Sequence, residues 1–304
     1  MLGLIAATAA SCTVATSTQG GSVRLVATRD FGKQPLLSAT EDPIEGGETV
    51  MRMLMRNGDV KTRYGGRFVN EIKGVGSRTS ATRKLDWFYY VNGIEADVGA
   101  AERKLASGDR IWWDYHDWSA VMRVPAVVGS FPEPFLHGSE GKRFPIRIDC
   151  GQDDRKACSA VSDRLEAADI APSTSAIGAV AGKDLLRLVV GTWGEVRQDA
   201  ASEQIEQGPD KSGVFARFGR GAGGEYELDL LDSQARVVRS LGTGAGLIAA
   251  TRFEDQQPTW VVTGTDSLGV SRAAALVTER VLRNRFAVAT DGTAPIALPT
   301  EAPQ

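Results

Sequence analysis

The sequence predicts an α+β protein, with an N-terminal β-grasp domain (a mixed sheet crossed by one helix) followed by a mixed α/β domain. Three observations predict it. Between Val23 and Trp118, short β-branched and aromatic runs are interrupted by a single helical period at Val50, Met53 and Leu54. Beyond residue 144, helical periods are interleaved with buried-looking strands. At 304 residues and 42% hydrophobic content, the chain is long enough for two cores.

Taken in order, Val23 to Phe31 reads as a strand returning through Leu36 to Thr40, with Gly32 to Pro35 as the turn. A helix follows Gly46-Gly47, its apolar stripe widened by Met51 and Met55 and its end set by Asn57-Gly58. Val60 to Tyr64 and Arg67 to Ile72 read as short strands about Gly65-Gly66. Trp87 to Val91 is rich in residues that suit a pleated surface, and Asn92-Gly93 supplies two positions of positive φ for a tight hairpin turn. Ser107-Gly108-Asp109 turns the chain again into Arg110 to Tyr115. This segment holds four of the six Trp and three of the five Tyr. Consecutive rings point to opposite faces of a strand, so one face is expected in the core and the other exposed to a ligand or partner.

Residues 119–143, with Pro125, Pro132 and Pro134, read as a linker. The α/β domain spans 144–290. Its expected strands are 144–148, 185–190, 214–218, 226–231, 236–238, 247–252, 260–263 and 286–289, and its expected helices 153–168 and 268–284; residues 291–304 read as a Pro-rich tail.

Net charge is −3, with 35 basic and 38 acidic residues intermixed, which excludes a nucleic-acid footprint. The apolar run Leu2 to Ala10, ending in Ala9-Ala10-Ser11-Cys12, resembles the end of a bacterial signal peptide with a lipobox, although no Lys or Arg precedes it. Residues 1–21 are therefore expected to be a signal remnant and tether, with Cys12 lipidated and the protein anchored on the outer face of the cell membrane. Cys150 and Cys158 then remain as an even pair, expected to form a disulfide in an exported protein.

Catalytic motifs are sparse. The chain has two His, His116 and His137, without G-x-S-x-G or H-E-x-x-H. Gly178 to Asp184 is one residue too short for a phosphate loop and has Asp where Ser or Thr is required. Gly242 to Gly246 precedes a strand and reads as a turn. Thr263-Gly-Thr-Asp266 reads as a helix cap or an anion site. Asp114 and Asp117 read as a solvated strand end.

The segments Val60 to Gly66, Ile72 to Gly74, Trp87 to Gly93, Ala96 to Ala100, Leu105 to Asp109 and Trp112 to Tyr115 together resemble the transcobalamin-like C-terminal domain family over about residues 22–118. The resemblance implies a corrinoid-binding surface, with a cobalamin-like molecule as ligand and delivery to a membrane transporter as its use. No helical barrel that would complete the clasp of the animal carriers is present. On this reading the ligand-contacting residues are Trp87, Tyr89, Tyr90, Asn92, Trp112, Trp113, Tyr115, His116 and Trp118; His116 is either a cobalt ligand or a packing residue. The protein is expected to need no cofactor and to catalyse nothing. The alternative is an envelope interaction module that docks a glycan or a protein.

Overall fold

A computed structural model describes residues 21–44 and 46–301. Cys12, and with it the lipidation expectation, lies outside the described residues. The first unit comprises β1 (Val23–Arg29), β2 (Gln34–Glu41), α1 (Val50–Asn57), β3 (Val60–Arg63), β4 (Phe68–Ile72), β5 (Val75–Gly76), β6 (Arg78–Thr79), β7 (Lys84–Val91), β8 (Ile94–Glu95) and β9 (Arg110–Asp117). The main sheet has the order β2-β1-β9-β7-β6, with β8 paired to β7 across the Asn92-Gly93 turn. The two central strands, β1 and β9, are parallel and their neighbours antiparallel. This is the β-grasp arrangement. β3, β4 and β5 form a small sheet of their own, not part of the main one.

Helix α1 begins where the Thr49 side chain accepts from Arg52 N–H and ends where Gly58 N–H donates to Leu54 C=O. Its buried residues, Val50, Met51, Met53 and Leu54, pack on Leu25, Ile111, Trp113 and Tyr115. Burying each such side chain contributes on the order of 1.5–3 kcal/mol, which holds an eight-residue helix too short to persist alone.

The second unit contains β10 (Ile146–Cys150), α2 (Arg155–Glu166), β11 (Ser173–Ala176), β12 (Leu186–Thr192), α3 (Trp193–Val196), α4 (Ala200–Glu203), α5 (Pro209–Ser212), β13 (Ala216–Arg220), β14 (Tyr226–Leu231), β15 (Val237–Leu241), β16 (Gly246–Thr251), β17 (Thr259–Gly264), α6 (Ser267–Ala275), α7 (Glu279–Leu282), β18 (Ala287–Thr290) and β19 (Pro295–Leu298). Its seven-stranded sheet runs β11-β10-β12-β17-β16-β18-β19, parallel as far as β17 and antiparallel beyond. Helices α2 and α6 cover one face. The three-stranded sheet β13-β14-β15 and the β-grasp sheet contribute to the core on the other.

Three sequence expectations are corrected here. Residues 119–143 are not a free linker: Val121, Val124, Val127, Val128, Phe131 and Phe135 are buried in the cores at the junction. The helix expected over 268–284 breaks after Ala275, and a second short helix is capped by Thr278, whose side chain accepts from Val281 N–H. The tail is also structured in part, since Pro295–Leu298 is the edge strand beside β18, a place that tolerates Pro at its first residue.

Cys150 and Cys158 are disulfide-bonded, with Cα atoms 6.0 Å apart, and tie the end of β10 to the first turns of α2. Closing so short a loop restricts the unfolded chain only modestly. The Cys150→Ala/Cys158→Ala variant is expected to lose about 2.5 kcal/mol in urea unfolding, with the native far-UV spectrum retained. A loss below about 0.5 kcal/mol would show that the crosslink does not constrain the unfolded state.

Candidate functional site

The aromatic strands are built as expected but do not form an open surface. β7 and β9 pair with Trp87 opposite Tyr115, Tyr89 opposite Trp113 and Tyr90 opposite Trp112. Trp87, Tyr89, Trp113 and Tyr115 face α1, with Tyr89 and Trp113 stacked at 4.8 Å. On the opposite face Tyr90 and Trp112 meet the second unit and pack edge-on to Phe286 at 5.7 and 5.2 Å. The expectation of exposed rings therefore fails for a physical reason: both faces of the sheet are covered, one by α1 and the other by the α/β domain. Trp118 is half-buried, with Lys84 Nζ 4.9 Å from its ring centre.

Asn92 is buried and acts as a brace. Its amide donates to Asp109 Oδ1 and Gly138 C=O, and its Oδ1 accepts from Arg110 N–H. Asn92 and Gly93 have φ of 54° and 77°, and a Cβ on Gly93 would lie 2.7 Å from Val127 C=O, so the turn and its packing both require glycine there.

His116 is buried between Phe31 and Phe88, with ring centres 4.7 and 4.6 Å away. Its Nδ1 meets Asp114 Oδ1 at 2.9 Å. The same carboxyl accepts from Phe31 N–H, Gly32 N–H and the Thr28 hydroxyl. Asp114 and Asp117 are thus not a solvated strand end, since both are buried. Burial pushes the Asp117 carboxyl up, but donors from Ser119, Arg83 and Lys84 outweigh it and hold the group below the ordinary carboxylate range. Two further motifs resolve simply: Asp266 caps α6 through Gly269 N–H at 2.9 Å, and Gly242 to Gly246 is a turn leading into β16.

One concave surface that draws on both units is a cleft of about 520 Å³ between the β-grasp sheet and the β14–β15 hairpin. Arg29, Lys33, Arg83, Tyr115, His116 and Asp117 line one side, and Asp232, Ser233 and Arg236 the other. Gln234 reaches across the seam to Asp117 at 3.0 Å. Arg29 Nε is buried without a hydrogen-bond partner. Of the expected site residues, the cleft takes Tyr115 and His116; Arg29, Arg83, Asp232 and Arg236 had no local signal, because they meet only through long-range folding. Among the described residues no group of three or more His, Cys, Asp or Glu side chains is placed to hold a metal ion.

A second polar cluster lies beside this seam. Glu133 accepts from His137 N–H and meets Nδ1 of that ring at 2.6 Å, and burial raises its carboxyl against the opposing effect of His137. Burial likewise raises Asp109, opposed by donors from Ala106 and Asn92. A carboxyl raised in the folded state adds stability that is complete below its unfolded pKa, near 3.9 for Asp, and is lost as pH rises through the folded value. The stability of Asp109→Asn relative to wild type is therefore expected to increase from pH 4 upward and then level off. A difference independent of pH in chemical denaturation would refute this.

Known proteins add little. A family model described as a domain of unknown function (DUF4430) matches residues 47–117, from just before α1 to the end of β9. No curated protein matches the chain significantly. A solved structure from Ruminococcus gnavus ATCC 29149, described as a "putative metal binding protein", is similar at 12% identity, covering 32% of this chain and 97% of its own, with a TM-score of 0.25. That likeness is too slight to carry a function.

Proposed function

We propose that this is a non-catalytic ligand-binding protein held at the outer face of a membrane, with its ligand seated in the cleft at the seam of the two units. The observation that carries the reading is the two-sided cleft itself, in which the buried Arg29 Nε offers a donor that no protein group takes. Its lining cations Arg29, Lys33, Arg83 and Arg236 are balanced by Asp30, Asp117, Asp232 and Glu301, which suits a ligand with amide or zwitterionic edges and little net charge. A corrinoid remains the ligand we propose, on the strength of the sequence resemblance. Its amide-edged rim, not the face of its ring, would enter the cleft, because the aromatic walls are occupied by packing. Delivery to a membrane transporter follows from that use.

Cobalamin titrated into the protein by calorimetry is expected to give saturable one-to-one heat, weakened about tenfold by Arg236→Ala, whose side chain is largely exposed. Absence of heat at high cobalamin, or binding indifferent to this substitution, would overturn the corrinoid reading.

The glycan-docking alternative is favoured by one different observation. Tyr64 is 80% exposed on the turn between β3 and β4, and its ring lies 6.3 Å from that of Phe68. Such a module would lose glycan retention on Tyr64→Ala without any change at the cleft.

A further inference from the structure

At the opposite end of the β1–β9 pair, three arginines converge on one oxygen. Arg24, Arg110 and Arg283 lie 3.3, 3.0 and 3.7 Å from Glu279 Oε1. Among the described residues no other carboxylate forms an ion pair with any of the three, so two positive charges stand uncompensated. They border a concavity of about 200 Å³ to which Ser38 and Ser130 also contribute. Arg110 is fixed by donating to Phe131 C=O at 2.7 Å, while Arg24 and Arg283 have side chains half exposed or more and are free to turn toward a guest.

We infer that this pocket binds the phosphoryl group of a phosphate monoester. Guanidinium forks match the oxygens of a tetrahedral oxyanion in pairs, and a dianion neutralises the excess of two charges, which a monocarboxylate does not. The space is sufficient for a phosphoryl group and small for much else, so the rest of the ligand would project into solvent. Glu279 plays a distinct part. It keeps the arginines together when the pocket is empty, and it opposes the guest electrostatically. This site is separate from the seam cleft and does not rest on the ligand proposed for it.

The test is calorimetric titration of the full chain with inorganic phosphate and with phenyl phosphate at constant ionic strength. Saturable one-site binding is expected, weakened about tenfold by Arg24→Gln and again by Arg283→Gln. The more informative variant is Glu279→Gln, expected to tighten binding severalfold, which a generic loss of folding cannot mimic. No saturable binding by either wild type or Glu279→Gln, or affinity unmoved in Arg24→Gln/Arg283→Gln, overturns the inference. Sedimentation with phosphatidic-acid vesicles, displaced by inorganic phosphate, would identify a lipid headgroup as the source; absence of vesicle binding beside saturable phosphate would identify a free phosphate ester.

Discussion

Asp114→Ala is expected to destabilise the protein by about 3–5 kcal/mol, the largest effect of any single polar substitution in the seam. The carboxyl is fully buried on β9 and serves the Thr28 hydroxyl, Phe31 N–H, Gly32 N–H and His116 Nδ1 together. Removing it leaves those groups without their partner in a place water does not reach, at about 1–3 kcal/mol for an unmade bond. A second consequence follows from backbone geometry. Asp30, Phe31 and Gly32 have φ of 56°, 56° and 84°, so the β1–β2 turn holds two non-glycine residues in the left-handed region. The Asp114 carboxyl fixes that turn and so places Phe31 against Phe215 and Phe286, with ring centres 5.1 Å away in both cases. Asp114→Asn, which keeps one acceptor oxygen, is expected to lose less. Urea unfolding of the three proteins checks the order wild type, Asn, Ala; equal stability of Asn and Ala would show that the bonds to this group contribute nothing beyond its volume.

The legibility of the sequence differed sharply between elements and their surroundings. α1 was readable because its apolar stripe falls on a period of 3.6, and β7 and β9 because aromatic and β-branched residues bracket turn signals that only Asn92-Gly93 and Gly108 satisfy. What covers each face was not readable. Alternation along Trp87 to Val91 states that a strand has two sides; it does not state that Phe31, Phe215 and Phe286, from distant parts of the chain, close over one of them. The run Val124-Pro-Ala-Val-Val128 carried a signal that the proline composition around it masked: four apolar residues in five are too many for a solvated connector. Both clefts were illegible for one reason. Arg29, Arg83 and Arg236, like Arg24, Arg110 and Arg283, are scattered charges with no spacing in common; the pairing of β1 with β9 brings Arg24 beside Arg110, but Arg83, Arg236 and Arg283 come from other segments and join them only in the complete fold. Cys150 and Cys158, by contrast, could be paired by parity and proximity alone.

Trp112→Ala is the other large effect expected, at about 3–5 kcal/mol, and it separates a packing role from a ligand-contact role. The indole is buried between the two units, edge-on to Phe286 and tilted against Tyr90 at 5.7 Å, with Nε1 donating to the Thr28 hydroxyl at 2.8 Å. The backbones of Gly32 and Gly129 close on its edge, where an added Cβ would stand 3.1 and 2.5 Å from ring atoms. A cavity in that position is refilled only in part by side-chain shifts, because the glycine backbones on that edge carry no side chain to move in. Phe286 belongs to the second unit, so the loss should appear as a weaker bond between units as well as a lower midpoint. The double-mutant cycle of Trp112→Ala with Phe286→Ala is expected to show a coupling of about 0.5–1.5 kcal/mol. Titration of cobalamin into folded Trp112→Ala, without denaturant and well below its midpoint temperature, should return the wild-type affinity, since the ring does not line the seam cleft. If affinity fell with stability unchanged, the indole would be a ligand contact after all, and the seam would have to open for the ligand to reach it.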